Sequence, residues 1–462
     1  MRPPAKTFPQ HIWRTLVLGV PLVGVQLASV AIQTTDLIMV GRLGATELAS
    51  VSLSGHLIFL GFFAALGFTN AVMAVAAEGE GANDAQTVRR ATRMGVWIVT
   101  AIAVLFMPIY WNAQSVLLAF GQAPEVAGLA EQYLRIAMFS MFPIVWLLVA
   151  RSYLSSVDHT QILMWVTVVG IALNAALNYA FIFGNWGAPP LGVRGAALAT
   201  VGSNAFMLAG TIGYAAWHPL LKKYEIFRNP LRGDAAMVRR VLKVGWPISV
   251  TILAEGGLFI AASFMIGWFG VLELAAHTIA LQVATVAFMV PFGLSGAVTV
   301  RVGQAFGRGD PHGVGGAGYA GLALTLAISG LAALTFLLFA PQLVQLFIGT
   351  EIENAAEVAA RAIPLLYVAG AFQLADGLQV IAAAILRGLQ DTKVPMQIAL
   401  FGYWGVGMVV GAVFGFGLGM QALGMWIGLA AGLTTAGILL VMRYLRREEY
   451  GLLSPRLEAE TS

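Results

Sequence analysis

The sequence predicts an all-α membrane protein, and its composition and its long apolar stretches carry that prediction. The chain has 462 residues, of which 59% are hydrophobic and only 10% are charged. An ordinary soluble protein is about 45–50% apolar and about 25% charged. Stretches of about 20 apolar residues, long enough to cross a hydrocarbon core, recur along the whole chain. These observations exclude a soluble enzyme and a disordered or fibrous chain, and leave a polytopic membrane protein.

Twelve apolar stretches are predicted to be membrane-spanning helices. Their length favours helices, because barrel strands would be about 10 residues long and would alternate in hydrophobicity. The first six lie at 15–40, 48–77, 94–111, 133–152, 162–183 and 195–215. The second six lie at 241–268, 275–304, 316–340, 362–386, 396–416 and 421–442. At the end of the eleventh stretch and just beyond it, Gly411, Gly415 and Gly419 have the small-residue spacing typical of close helix packing.

The basic residues predict the orientation of these spans. If the N-terminus is cytoplasmic, all but four of the 26 Lys and Arg residues fall in the termini or in turns after even-numbered spans. The exceptions are Arg42, Arg135, Arg194 and Arg361. This asymmetry predicts a multi-pass protein of the cell inner (cytoplasmic) membrane with both termini cytoplasmic. The net charge of +4 then indicates contact with membrane lipids and no nucleic acid as a partner.

The two halves of the chain repeat each other at an offset of 226 residues. Identical pairs include Gly19/Gly245, Pro21/Pro247, Met39/Met265, Glu47/Glu273 and Gly67/Gly293. Each half has an even number of spans, so the repeats are parallel and the expected architecture is two six-helix lobes that alternate access to a central site. We predict an N-terminal lobe at 1–215, a cytoplasmic linker at 216–239, and a C-terminal lobe with a cytoplasmic tail at 240–462.

Three acidic residues lie inside predicted spans: Asp36 in span 1, Glu255 in span 7 and Asp376 in span 10. A charged side chain at the centre of a span costs about 2.5–3.5 kcal/mol on insertion, so each is a candidate for function. Burial disfavours the charged form of a carboxyl group, which can then take up a proton or hold Na⁺ through its oxygens. The alternative is a structural carboxyl and, for Asp36, a charge at the outer boundary of its span.

Polar neighbours are expected for two of these acids. Asn174 and Asn178 are four residues apart on span 5 and therefore share one helix face. We expect both amides to orient Asp36, with Thr200 of span 6 nearby; the alternative is hydrogen bonding that only joins helices. Gln282 on span 8 is expected to play the same part for Glu255. The chain has no cysteine, and its six histidines show no metal-site spacing.

Four segments together carry a resemblance to a known family. They are Thr35–Arg42 at the end of span 1, Asn174–Tyr179 in span 5, Arg301–Gly307 at the end of span 8, and Leu386–Asp391 after span 10. With them the chain resembles the multidrug and toxic compound extrusion (MATE) transporters, most of all the bacterial NorM-type branch. The resemblance covers nearly the whole chain.

The resemblance implies a function and a set of site residues. It implies export of cationic amphiphilic drugs and dyes by antiport with Na⁺ or H⁺. We expect a monomer without enzymatic activity or cofactor. The resemblance assigns Glu255 and Asp376 to a cation site that holds Na⁺ or H⁺, and Asp36 with the two asparagines to a second site. The chain departs from the pattern at Phe372, where some NorM-type members carry a tyrosine one turn before the span-10 aspartate.

Other functions fit the sequence less well. A lipid-linked oligosaccharide flippase of the same broad superfamily is the main alternative, but it needs basic residues in its cleft to hold pyrophosphate. Here the acids lie at mid-span and the arginines lie mostly at span ends. An intramembrane enzyme needs a nucleophile–base pair or a cluster of His, Asp and Glu, and the sequence shows neither. A channel is disfavoured because two duplicated lobes indicate rocking rather than an open pore.

Overall fold

The computed structural model of the protein describes residues 7–347 and 354–453, and the regular elements within those ranges are helical. Twelve helical segments of this part of the chain are long and apolar enough to cross a membrane. The predicted all-α fold with twelve spans is therefore confirmed. Residues 1–6 and 454–462, which carry part of the predicted basic asymmetry, lie outside the described residues.

The helices follow the predicted spans closely. In the first half they are α1 (Phe8–Gly41), α2 (Ala45–Gly81), α3 (Ala85–Trp111), α4 (Ala113–Ala119), α5 (Pro124–Ala137), α6 (Met141–Ser156), α7 (Gln161–Phe183) and α8 (Val193–Trp217). In the second half they are α9 (Ala235–Gly267), α10 (Val271–Gly307), α11 (Pro311–Phe347), α12 (Ala355–Gly388), α13 (Lys393–Leu400), α14 (Val409–Ala412) and α15 (Gln421–Leu445). A 3₁₀ turn, Pro219–Tyr224, lies in the predicted linker.

The fourth span is longer than predicted and is interrupted. It runs Pro124–Ser156 and consists of α5, a 3₁₀ turn at Met138–Ser140, and α6. Pro143 lies three residues beyond that turn. Because proline has no backbone N–H, it cannot donate to the carbonyl of residue 139, and the α-helical ladder is broken at this point.

The eleventh span is glycine-rich and partly π-helical. Between α13 and α15 its π turns cover Phe401–Met408 and Val413–Gly417. A Cβ added at Gly428 of α15 would overlap the backbone of Gly411, so the two helices are in backbone contact there, as the sequence predicted. Gly419 plays a different part from the one predicted: its φ of +69° forms the turn that leads into α15.

The described residues form two compact units. One is Gly24–Ser249, and the other joins Met1–Val23 to Val250–Ser462. These units differ from the predicted lobes, 1–215 and 240–462, because α1 and α9 each change units part of the way along. The change falls just after Pro21 in α1 and Pro247 in α9, the prolines that match in the repeat.

Repeat-matched glycines explain why these helices divide where they do. In the first unit, a Cβ added at Gly67 of α2 would overlap Ser249 of α9. In the second unit, a Cβ added at Gly293 of α10 would lie 2.6 Å from the Cα of Val23 in α1. Both members of each contact are related by the same 226-residue offset, so the duplication has kept a pair of close helix contacts and not only a sequence pattern.

A second pair of contacts repeats in the same way. A Cβ added at Gly245 of α9 would lie 2.5 Å from a ring carbon of Phe68, and one at Gly19 of α1 would lie 2.7 Å from Leu294. Positions 68 and 294 are again 226 residues apart. Each unit therefore includes part of the first helix of the other half of the chain. The start of α9 packs in the unit Gly24–Ser249, and the start of α1 packs in the other unit.

Candidate cation-binding sites in the two units

The first candidate site lies in the unit Gly24–Ser249 and is built around Asp36. This residue is half-buried near the end of α1. Asn178 of α7, which is fully buried, donates from Nδ2 to Asp36 Oδ1 at 2.5 Å and to Asn174 Oδ1 at 3.2 Å. The side chain of Asn174 also hydrogen-bonds Asp36. The structure thus brings together the carboxyl group and the two amides that the sequence placed on one helix face.

Residues of α5 and α8 complete the surroundings of Asp36. Asn174 Nδ2 lies 3.5 Å from Ser203 Oγ, at the limit of a hydrogen bond. Thr200, predicted to lie nearby, donates to the carbonyl of Ala196 and hydrogen-bonds the hydroxyl of Tyr133. Tyr133 is buried and interacts electrostatically with Asp36. Tyr133 does not stand out in the sequence, because a tyrosine in a span is more often part of an interfacial belt.

One polar atom of this site has no partner. Asn178 Oδ1 is buried and accepts no hydrogen bond from any described residue. A carboxylate at Asp36 accepts from the amide N–H, whereas a protonated carboxyl group carries an O–H that an amide oxygen can accept. The pair therefore offers a hydrogen-bonding partner to both protonation states of Asp36.

The second candidate site lies in the other unit and contains Glu255 and Asp376. Glu255 is half-buried on α9, and Asp376 is 3% exposed on α12. The two carboxyl groups interact electrostatically, and Arg387 at the end of α12 acts on Glu255. Asp376 Oδ1 is buried and has no hydrogen-bonding partner among the described residues. An unpaired buried carboxylate oxygen is costly, and a proton or a cation on this atom would remove that cost.

A tyrosine supplies this site with a hydroxyl group. Tyr403 is fully buried, and its hydroxyl accepts a hydrogen bond of 2.5 Å from Gln379 Nε2. Its phenol group interacts electrostatically with both Glu255 and Asp376. Phe372, the position at which the sequence lacks the tyrosine of some NorM-type members, packs instead on Phe259 and Trp426. The chain thus lacks a tyrosine hydroxyl at position 372 of α12 but has one at Tyr403 on the eleventh span.

The donor set of this site suits a small hard cation. Two carboxyl groups, the Tyr403 hydroxyl and the buried, unpaired Gln379 Oε1 are all oxygen atoms. Hard cations prefer such ligands. The described residues contain no cluster of three or more His, Cys, Asp and Glu residues that would hold a metal ion, so any Na⁺ held here would rely on neutral oxygens in addition to the two acids.

Gln282 does not join this site. Its side chain is exposed on α10, and within the described part of the chain no hydrogen bond links it to Glu255. The glutamine that lies by the acidic pair is Gln379, one turn after Asp376 on the same helix. Gln379 is three residues after Asp376 and therefore shares its helix face. The sequence does not show that this face is the one that meets Glu255, so Gln379 could not be predicted as part of the site.

Comparison with known proteins identifies the family. The MatE family model matches residues 21–180 and 247–413. The chain is 46% identical over 440 residues to the "Probable multidrug resistance protein NorM" of Rhizobium meliloti, covering 95% of this chain and 94% of that one. A protein with the same name from Agrobacterium fabrum is 41% identical over 435 residues, covering 94% of each chain.

A solved structure shares the fold. The eukaryotic MATE transporter AtDTX14 superposes with a TM-score of 0.85 at 18% identity, covering 96% of this chain and 98% of that one. Together, the matching family model, the full-length relatives and the twelve-span duplicated architecture show that the chain belongs to the MatE family of membrane transporters and is not an enzyme.

Proposed function

We propose that this protein is a multidrug efflux transporter that exports cationic amphiphilic compounds by antiport with Na⁺ or H⁺. The names of its relatives in Rhizobium meliloti and Agrobacterium fabrum support multidrug resistance as the function. The observation that carries the coupling is the Glu255–Asp376 pair. Two neighbouring carboxyl groups that repel each other bind a proton or a metal cation more readily than one group alone, and gain or loss of that ion changes the charge of the unit.

We assign Asp36 to the drug. Its carboxylate is the counter-charge for a cationic compound, and the amides of Asn174 and Asn178 hold it in place. Protonation of Asp36 removes that charge and releases the drug. The flippase alternative is weaker, since the charged groups at the two candidate sites are the carboxyl groups of Asp36, Glu255 and Asp376, and the charge of Arg387 is opposed by that of Glu255.

We propose further that the transporter acts as a monomer in the cell inner membrane with both termini cytoplasmic. The basic residues of the linker support this orientation. The coupling ion is substrate rather than cofactor, and the mechanism needs no other bound group.

Dye efflux from proteoliposomes under separately imposed Na⁺ and proton gradients tests the function. Glu255→Gln and Asp376→Asn are each expected to abolish gradient-driven efflux while the protein still reconstitutes. Glu357→Gln is the matched control, because it removes an exposed carboxylate from the first turn of the same helix as Asp376. Undiminished efflux in both neutral variants would show that the acidic pair has no part in coupling.

A further inference from the structure

Five arginines line one pocket of the unit Gly24–Ser249, where the linker meets the first turns of α3. They are Arg89, Arg90, Arg93, Arg228 and Arg232, and Asp234 is the one acidic residue that lines the same pocket. The pocket has a volume of about 480 Å³. Such an excess of guanidinium groups is typical of a site that binds phosphate, because Arg offers paired N–H donors to phosphate oxygens.

Ion pairs account for three of these arginines. Arg89 and Arg228 share Glu225, at 2.7 and 2.8 Å, and Arg90 pairs with Asp234. The Arg90 guanidinium holds the pKa of Asp234 below its usual range, so this pair stays ionised.

Arg93 and Arg232 keep free donors. Arg93 Nη1 donates to the carbonyl of Asn229 at 3.3 Å, but its buried Nε has no partner among the described residues. The exposed Arg232 side chain has no ion pair or hydrogen bond in that part of the chain. The hydrogen bond from Trp97 Nε1 to the carbonyl of Pro230, 3.1 Å long, holds the linker against α3, so both arginines line a pocket that is already formed.

An apolar groove adjoins the arginine pocket and shares Gly233 and Asp234 with it. Its walls are Met94 and Trp97 of α3 and Val238, Leu242 and Trp246 of α9, and its volume is about 720 Å³. Trp97 and Trp246 are 45% and 44% exposed. Tryptophan on the outside of a span at its end is typical of the membrane–water interface, where an apolar ring meets acyl chains.

Two more cations stand on the rim of the groove. Arg239 and Lys243 are exposed and line it one turn apart on α9, and neither has an acidic partner among the described residues. The groove is therefore apolar along its walls and positive at its edge, and it leads directly to the arginine pocket. A polar head with negative charge and a long apolar chain matches both parts.

We propose that this pocket and groove together form a binding site for an anionic phospholipid. The phosphodiester lies against Arg93 and Arg232, with Lys243 at its side, and an acyl chain lies between Trp97 and Trp246. The site stands on the side of the linker, which the charge asymmetry predicts to be cytoplasmic, and basic pockets between spans on that side suit anionic headgroups. The lipid ties the linker to α3 and α9 within one unit.

Lipid titration of the purified full-length protein, followed by native mass spectrometry, tests the proposal. Phosphatidylglycerol is expected to bind in preference to phosphatidylcholine with the same acyl chains. The double variant Arg232→Gln/Lys243→Gln is expected to weaken phosphatidylglycerol binding by on the order of tenfold or more at low salt, since each cation near a headgroup contributes about 1 kcal/mol. Both side chains are exposed and have no ion pair among the described residues, so their replacement leaves the fold intact.

Arg308→Gln/Lys393→Gln is the matched control. It removes two exposed cations from the other unit and is expected to bind phosphatidylglycerol like the parent. Equal weakening in the two double variants, or no weakening in either, overturns the proposal. Trp246→Ala is expected to weaken phosphatidylglycerol several-fold, whereas soluble glycerol 3-phosphate at the same concentration does not displace the lipid. Full displacement by glycerol 3-phosphate would show a site for free phosphate and would also overturn the proposal.

Discussion

Removal of the Tyr403 hydroxyl is the sharpest test of the acidic site, because it changes one oxygen atom and keeps the ring. Tyr403→Phe deletes the group that accepts from Gln379 and that interacts electrostatically with the two carboxyl groups. A buried donor left without its acceptor costs about 1–3 kcal/mol. If the hydroxyl also ligates the coupling cation, a loss of similar size falls on cation binding, which corresponds to a roughly 5- to 150-fold higher half-saturating concentration.

The assay is dye efflux from proteoliposomes as a function of the concentration of the driving ion, with thermal unfolding measured in parallel. Tyr444→Phe is the matched control, because Tyr444 is a buried tyrosine of the same unit whose hydroxyl donates to the carbonyl of Gly315 at 3.2 Å. Both variants are expected to lose stability, but only Tyr403→Phe is expected to need more cation. Equal cation dependence in the two variants would refute a role for the Tyr403 hydroxyl beyond packing.

Three further predictions concern the other unit. Asp36→Asn is expected to bind cationic dyes more weakly than the parent and with no dependence on pH, as measured by equilibrium binding; parental affinity across the pH range would make Asp36 a structural residue. Asp234→Asn keeps the cap that accepts from the first turn of α9 but removes the charge that faces Arg90. Because the folded-state pKa of Asp234 lies below its ordinary value of 3.8, the ion pair stabilises the fold above that pH and is lost as the pH falls through the folded pKa. The variant is therefore expected to melt below the parent at pH 7 and to converge with it only as the pH falls below the folded-state pKa of Asp234, which is lower than 3.8. A difference in melting temperature that stays constant with pH would contradict the ion-pair account. Gly67→Ala is expected to destabilise by about 1–3 kcal/mol through overpacking, whereas Gly330→Ala, where a Cβ meets nothing within 4 Å, is not; equal melting temperatures would contradict the close contact.

The fold could be predicted from the sequence because a small number of physical rules determine where membrane helices lie. Span length and apolar composition predict each helix, and the repeat predicts two related halves. Lobe boundaries did not follow, because hydropathy says where a helix lies and not what it packs against. Gly67 and Gly293 show the difference: both are visible in the repeat, but only the structure shows that each receives a segment from the opposite half of the chain.

The site was predictable where insertion cost singles out a residue. Asp36, Glu255 and Asp376 stand out because a charge inside the membrane is expensive. Tyr403 and Gln379 do not stand out, since an uncharged polar residue on a span is cheap and common. Their part in the site depends on which helix face meets Glu255, and that is set by packing between α9, α12 and the eleventh span.

The two halves of the chain share the same close helix contacts but carry their acidic residues at different repeat positions. The two units therefore have different chemistry. The repeat mate of Asp36 is Ala262, which lies in the apolar core, and the mate of Glu255 is Ser29, whose hydroxyl donates to its own helix at Val25. The site at Asp36 therefore has a single carboxyl group with amide partners, which suits one organic cation or one proton. The other has two carboxyl groups opposed by one guanidinium, which leaves one negative charge when both are ionised. Our proposal that Asp36 takes the drug and the Glu255–Asp376 pair takes the coupling ion rests on this difference in charge between the two sites.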